Sequence, residues 1–455
     1  MNAFSEMLGR MGTERMGVRM TDHVNRRSFL KVAAAGAAFM VWPRRGRGEE
    51  PPSNPGKRPP NIIFILADDL GFELLTCYGA DTYKGLTPNL DTLAAGGMRF
   101  TRCHTMPVCA PSRCQFLTGM YPFRTGAVEN GFEQGVTPDK FPSIARPLKQ
   151  AGYVTAMVGK WHGLRPDPAG WGFDEHLRSP AAAGVYWISP PGGAYTVNGK
   201  KVVPEKRVSF CDVMHEFAAG FIARHKDRPF FLYYPMHFPH AGNGFTSPDS
   251  PPGTKSDLNG VLSYGDKMVG KLVAELDRLK LRENTLVIFA SDNGNCGFKG
   301  TIGGRKVVGG KRGLKEGGCT VPFIANRPGT VPAGKVNDEL VDFSDMLPTF
   351  VELAGGKLPS GVALDGVSIA PQLRGEKGNP KGWAFAQIRD KWMVRDTRWK
   401  LTHEGELYDL RDGLFVETQM PAEAEPETRK RLDAIAERLG VRQAVAAHPD
   451  WKAAQ

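Results

Sequence analysis

Four short apolar runs constrain this chain more than any other feature: residues 62–66 (IIFIL), 153–158 (YVTAMV), 230–234 (FFLYY) and 286–290 (LVIFA). Each is rich in β-branched or aromatic residues and is apolar at consecutive rather than alternate positions. That is the pattern of a strand buried on both faces. Helical periodicity fills the stretches between them, at 88–95 (ended by Gly96-Gly97), 208–224 and 262–279. Strands alternating with helices predict an α/β fold with a mostly parallel central sheet and helices on both faces. From about Gly356 the character changes. Runs at 392–395, 400–402 and 406–409 alternate with turns, and 425–439 reads as one helix with Pro426 in its first turn. The predicted organisation is a large α/β domain at 61–355 and a smaller α+β subdomain at 356–455.

Composition limits the function classes. With 41% hydrophobic and 24% charged residues in a chain of 455, a large core is available, and a disordered, collagen-like or polytopic membrane protein is excluded. The 54 Gly and 35 Pro predict many shaped loops. The net charge of +11 is partly local, because residues 1–50 hold nine Lys/Arg against five Asp/Glu. The remaining excess is diffuse and suits an anionic ligand. No basic helix with interleaved aromatics is present, so no nucleic-acid partner is expected.

Arg26-Arg27-Ser28-Phe29-Leu30-Lys31 precedes the apolar run 32–42. A basic region followed by a short apolar one has the form of a twin-arginine export signal. The run is too short to span a bilayer, and no other stretch approaches 18 apolar residues, so no integral membrane segment is expected. This predicts a leader at 1–50, a linker at 51–60, passage through the twin-arginine translocase and a periplasmic or extracellular location. The seven Cys (77, 103, 109, 114, 211, 296 and 319) are odd in number, and they contain no C-x-x-C pair that would suggest zinc.

The residues that follow the apolar runs carry the chemistry. The first leads into Asp68-Asp69, the second into Lys160 and His162, the third into His237 and His240, and the fourth into Asp292-Asn293. A single Asp pair after a strand is ordinarily a solvated turn or a helix cap. Four polar endings on parallel strands converge at one sheet edge, where open α/β folds bind ligands. Asp68, Asp69, Asp292 and Asn293 offer hard oxygen donors suited to Ca2+, and less well to Mg2+. The Gly-rich stretch 298–315 holds Lys299, Arg305, Lys306, Lys311, Arg312 and Lys315 and no acidic residue, and reads mainly as a solvated basic loop. In Cys109-Ala110-Pro111-Ser112-Arg113, Pro111 fits a first helical turn. That places Cys109 at a helix N-terminus with Arg113 one turn on. A thiolate facing an oxygen-loving cation is chemically mismatched.

The segment from Cys109 to Arg113, extended by Leu117-Thr118-Gly119, resembles the C-x-P-S-R motif of the type I sulfatases of the alkaline phosphatase superfamily. The resemblance spans residues 60–375, including 61–71, 87–91, 159–162, 291–294, 316–318 and 365–375, and 407–410 looks like the family's C-terminal segment. It implies an alkaline-phosphatase-like fold. It also implies that a formylglycine-generating maturation enzyme oxidises Cys109 to formylglycine, whose hydrate supplies an oxygen nucleophile. By the same resemblance, Asp68, Asp69, Asp292 and Asn293 hold Ca2+ with the modified Cys109, and Arg113 steadies the hydrate. Lys160, His240 and Lys311 contact the sulfate or leaving oxygen, with Lys306 and Lys315 competing for the place of Lys311. His162 bonds the diol and acts as base when sulfate is expelled. The implied activity is sulfate-ester hydrolysis on a sulfated small molecule or glycan. Alternatives are a phosphatase or phosphonate monoester hydrolase of the same superfamily, and a non-catalytic sulfated-glycan binding protein. Gly163, and Cys319-Thr320 in place of a common Val-Arg, depart from the family pattern.

Overall fold

Six strands form the centre of an 11-stranded sheet: β1 (Asn61–Asp68), β2 (Met98–His104), β3 (Val154–Gly159), β4 (Phe230–Pro239), β5 (Thr285–Ser291) and β6 (Thr320–Asn326). The computed structural model describes residues 58–452 apart from Gly163, Gly244 and Leu414. The expected twin-arginine leader at 1–50 and most of the expected linker at 51–60 lie outside the described residues. From one edge the order is Lys335–Asn337, β2, β6, β5, β1, β4, β3, Glu175–Arg178, Tyr195–Val197 and Lys200–Val202. The four strands legible as apolar runs are therefore neighbours, β5-β1-β4-β3, and all are parallel, with Ile62 opposite both Leu286 and Phe231.

The sheet is mixed rather than wholly parallel, because β6 runs antiparallel to both β5 and β2. Neither β2 nor β6 stands out as an apolar run. β2 (MRFTRCH) is interrupted by Arg99, Thr101 and Arg102, all only partly buried, and β6 carries Pro322.

Period-two alternation along β1 sends its side chains into two cores. Ile63 and Ile65 pack with residues of α1 (Pro88–Ala95), α3 (Phe210–Arg224) and α4 (Leu258–Arg278). Ile62, Phe64 and Leu66 pack with residues of α2 (Cys109–Thr118) and α5 (Met346–Leu353). Phe64 stacks on Phe116 of α2 with ring centroids 4.3 Å apart. This contact ties the helix that begins at Cys109 directly to the central strand.

Caps set the helix starts. The Ser209 hydroxyl accepts from the Asp212 N–H, so α3 begins at Phe210 rather than 208. The Asp257 carboxylate accepts from the Gly260 N–H, so α4 begins at Leu258, four residues before the periodic pattern suggests. The stretch 298–315 is not only loop: Lys299–Ile302 and Arg305–Val308 pair as a hairpin.

The C-terminal part is a five-stranded antiparallel sheet, from Ala384–Ile388 to Thr418–Gln419, covered by α6 (Pro426–Leu439). Leu432 and Ala436 of α6 pack with Trp392 and Leu401, and the same cluster takes in Met106, Tyr121 and Cys319. Residues preceding Ala384 still belong to the large sheet's core: Ile369 and Leu373 pack there, and the Asp365 N–H donates to the Gly119 carbonyl over 3.0 Å. All seven cysteines are free thiols. Among the described residues no helix is long and apolar enough to cross a membrane.

Candidate active site

Asp68 ends β1, and Asp69 takes a left-handed φ of 65°. That turn is unusual for a residue other than glycine, and it brings two consecutive carboxylates to the same side. The adjacent β5 ends at Ser291, whose hydroxyl accepts from the Leu70 N–H and donates to the Asn293 carbonyl, both at 2.9 Å. Ser291 therefore clamps the two strand ends together. Asp292 accepts from the Asp69 N–H over 3.2 Å, and the Asn293 amide donates to Asp69 Oδ1 over 2.7 Å. Gly294 is required here: a Cβ on it would lie 1.8 Å from the Gly317 carbonyl oxygen.

From β3, the Lys160 backbone N–H bonds to the Pro235 carbonyl, and its ammonium donates to both Asp68 oxygens, at 2.9 and 2.7 Å. Gly159 before it has φ 128°, and a Cβ there would sit 2.0 Å from the same Pro235 oxygen. From β4, His240 presents Nε2 to Asp69 Oδ2 at 3.6 Å, while its Nδ1 lies against the Ala241 carbonyl. That carbonyl can only accept, so the Nδ1–H tautomer is the one it favours.

Cys109 opens α2, a helix buried along its whole length that ends at Gly119 in a left-handed conformation. The Asn130 side chain accepts from the Ala110 N–H over 2.9 Å, satisfying one of the free donors of the helix N-terminus. Cys109 Sγ lies 3.5 Å from Asp68 Oδ1, 3.8 Å from Asp69 Oδ1 and 3.4 Å from Lys311 Nζ. Arg113, one turn along, donates to Asp292 Oδ2 through Nε at 2.9 Å and through a terminal nitrogen at 2.7 Å. Lys311 also donates to both Asp69 oxygens, at 2.6 and 2.8 Å. Lys306, on the hairpin, and Lys315 are exposed, so of the three competing lysines Lys311 is the one that reaches Cys109.

The cluster is thus three buried carboxylates interleaved with Arg113, Lys160 and Lys311. Burial alone would raise the Asp68 carboxyl, but Lys160 and Arg113 outweigh it and hold it well below the usual carboxylate range. Asp292 goes the other way: burial raises it despite Arg113. Burial, reinforced by Lys160 and Arg113, holds His162 well below its usual value, so its imidazole is neutral. Burial pushes the Cys109 thiol well up, and Asp292 adds to the effect. An unmodified thiol at this position therefore resists becoming the nucleophilic thiolate.

One atom from each of Asp68, Asp69, Cys109 and His240 lies within 4.8 Å of the others, close enough to share one ion. Asn293 Oδ1 is buried without a hydrogen-bond partner. A cation would satisfy that orphaned acceptor, so the oxygen-rich donor set fits a hard divalent ion. Asp292, expected as a full ligand, is also committed to Arg113 and to the Asp69 N–H. His240, expected at the sulfate or leaving oxygen and not as a ligand, joins the compact group.

All ten residues singled out from the sequence lie at this end of the sheet. Sequence reasoning missed Ser291 and Asn130, which orient the others. It also left His237 without a role. That residue is fully buried, with both ring nitrogens unpartnered, and burial lowers it to about 3. A serine one residue before a strand-end Asp and an Asn-Gly turn are too common to signal such roles.

The family described as Sulfatase matches residues 60–356. Arylsulfatase A of Homo sapiens is 34% identical over 387 residues, covering 75% of this chain and 74% of that protein. N-acetylgalactosamine-6-sulfatase of Canis lupus familiaris is 34% identical over 350 residues, covering 70% of this chain and 66% of that protein. The crystal structure of Ps i-CgsB in complex with k-i-k-neocarrahexaose is similar with a TM-score of 0.73 at 27% identity, covering 85% of this chain and 94% of that one.

Proposed function

Because this chain belongs to the sulfatase family, we propose that it is a carbohydrate sulfatase whose nucleophile is a formylglycine made from Cys109 and whose metal is Ca2+. Sulfate-ester hydrolysis is the activity of the family, and the chain is a sulfuric ester hydrolase. The observation that carries the finer reading is the convergence of Cys109 Sγ with Asp68, Asp69 and Lys311 at the N-terminus of α2. Two similarities support a sugar substrate: a relative named for N-acetylgalactosamine 6-sulfate and a solved structure holding a neocarrahexaose. The twin-arginine form of residues 26–31 supports export to a compartment where such polymers are met.

When formed and hydrated, the aldehyde supplies two hydroxyl groups at residue 109, and a divalent cation supplies positive charge beside them. Asp68, Asp69, Asn293 and Asp292 would hold that cation, with His240 adjoining. Arg113, locked on Asp292, and the N-terminal dipole of α2 favour negative charge on the residue 109 oxygen. A cation held there would draw on the Asp68 and Asp69 carboxylates that Lys160 and Lys311 bond, which would leave those two ammonium groups able to donate to sulfate oxygens. Lys311 Nζ, 3.4 Å from the residue 109 side chain, can deliver a proton to the leaving oxygen, and His240, whose Nε2 lies beside Asp69, can do so only as the imidazolium. The neutral His162, whose Nδ1 is buried and unpartnered, can accept the proton of the second hydroxyl as sulfate departs.

Lys160→Ala and His240→Ala should each lower turnover of a sulfate ester by about 10²–10³, the usual cost of removing one preorganised donor. Steady-state kinetics on an aryl sulfate, with a phosphate monoester in parallel, provide the check. Faster turnover of the phosphate by the unsubstituted enzyme would replace the sulfatase assignment with a phosphatase. Chelation by EDTA should abolish turnover. Added Ca2+ should restore it, and Mg2+ should restore it less well, since Mg2+ demands a near-octahedral shell and gives up its waters reluctantly. Full activity after exhaustive chelation, verified by elemental analysis, rules the cation out. Desulfation of a panel of defined sulfated sugars tests the substrate class directly.

A further inference from the structure

Away from the active site, two cavities of about 590 and 360 Å3 meet along β2 and share Thr101 and Gly413 in their walls. Neither is lined by any residue placed in the catalytic cluster. Their walls carry Arg99, Arg102, Arg305, Lys306, Arg398 and Arg411, against the acidic Asp338 and Glu339. The cations are only partly neutralised. Arg398 and Arg411 share the single Asp409 carboxylate, at 2.9 and 2.6 Å. Arg102 donates to the Asp338 backbone carbonyl over 2.8 Å but reaches the Asp338 carboxylate only at 3.8 Å, and that carboxylate is 78% exposed. Burial and the neighbouring Arg395 both disfavour charge on Arg102, a crowding that a bound anion would relieve.

The strand is built to present these groups. β6 pairs Val321 with Cys103 and Phe323 with Phe100, so β2 spends three positions where β6 spends two. This bulge leaves Thr101 and Arg102 both partly exposed and both lining the larger cavity, where a regular strand would turn one of them inward. The smaller cavity has an aromatic floor. Phe72 packs on Tyr78 and Phe415 with centroids 4.3 and 5.7 Å away, and Arg99 lies over Tyr78. Phe72 and Tyr78 are themselves buried and back the floor, and its accessible part is Ile302, Phe415 and Val416. A small apolar floor under a cationic rim suits the C–H face of a sugar ring bearing anionic substituents. One wall is the hairpin Lys299–Ile302/Arg305–Val308. It lies in the chain between Asn295 and Lys311, so groove and catalytic loop are one continuous segment.

We propose that this groove binds a stretch of a sulfated polysaccharide other than the ester being hydrolysed, holding a polymeric substrate to the enzyme. The inference rests on the carbohydrate reading above. The test uses the full chain carrying Cys109→Ala, so that the probe is not consumed, and a fluorescent dextran sulfate of defined length. Adding Arg102→Gln, Lys306→Gln and Arg411→Gln together should weaken binding about tenfold or more, the combined effect of three partly exposed ionic contacts. The same triple variant with Cys109 intact should keep kcat/KM on a small aryl sulfate within about twofold, which also reports that it folds. Unchanged affinity for dextran sulfate in the triple variant overturns the proposal. So does equal competition by an unsulfated dextran, or by a single-stranded oligonucleotide of matched charge. Loss of binding in the triple variant, combined with no turnover of any sulfated sugar by the unsubstituted enzyme, supports the groove and counts against the carbohydrate substrate alone.

Discussion

Cys109→Ala should reduce kcat/KM on a sulfate ester to background, a loss on the order of 10⁶, as expected when the nucleophile of a cooperating constellation is removed. The side chain contacts Asp68, Asp69 and Lys311 at once. No other nucleophilic side chain among the described residues shares that contact set. Protein made without a maturation partner should show the same loss although Cys109 is present. Its thiol is buried beside carboxylates that oppose its ionisation, and a cation held by oxygens does not favour sulfur. Activity should therefore scale with the fraction of residue 109 found as the aldehyde by peptide mass spectrometry. Full turnover by a preparation whose residue 109 is entirely thiol would remove formylglycine from the mechanism. A normally folded Cys109→Ala protein that still binds sulfated sugar would separate binding from chemistry.

The parts of this molecule that the sequence exposes are those where one physical demand acts alone. β1, β3, β4 and β5 are buried on both faces, so their apolar runs stand out, and their polar ends follow from their being parallel. Cys109 to Arg113 is legible because a proline in a first helical turn and an arginine one turn on are local features. β2 and β6 are hidden because they answer to two demands at once. β2 must fill the core with Met98, Phe100 and Cys103 while presenting Arg99 and Arg102 outward. The hairpin at 299–308 is hidden because its basic, glycine-rich sequence is also that of a loop. Within the site, identities were legible but pairings were not. That Arg113 would take Asp292, Lys160 take Asp68 and Lys311 take Asp69 depends on strand order and register, which no local pattern encodes. Ser291 and Asn130 act through single hydrogen bonds to backbone groups of other segments, so nothing in their surroundings distinguishes them.

The Glu316-Gly317-Gly318 segment, part of the family resemblance, lies outside the side-chain contacts of the Cys109 cluster, and the surroundings of Glu316 predict a structural role with a large effect. Its carboxylate is fully buried and accepts from Arg395 at 2.6 Å and from the Thr320 hydroxyl at 2.7 Å, with His104 Nε2 at 3.6 Å. Arg395 belongs to the C-terminal sheet, whereas His104 and Thr320 belong to β2 and β6. One side chain thus joins the small sheet to the large one. Burial would raise this carboxyl, but Arg395 and His104 outweigh it and hold it far below the usual range. Glu316→Gln leaves the Arg395 charge buried without its partner, which should cost about 3–5 kcal/mol of stability. Denaturant unfolding should show a lower midpoint. Since a depressed folded-state value stabilises above the unfolded one, the gap between wild type and variant should be full at neutral pH. It should shrink as pH falls below about 4, where the unfolded carboxyl takes up its proton. The paired replacement Glu316→Leu with Arg395→Met should recover much of the loss, because no unpaired charge then remains buried. A Glu316→Gln loss under about 1 kcal/mol, or one that does not diminish towards low pH, would show that the two sheets are held together by the apolar cluster of Met106, Tyr121 and Trp392 instead.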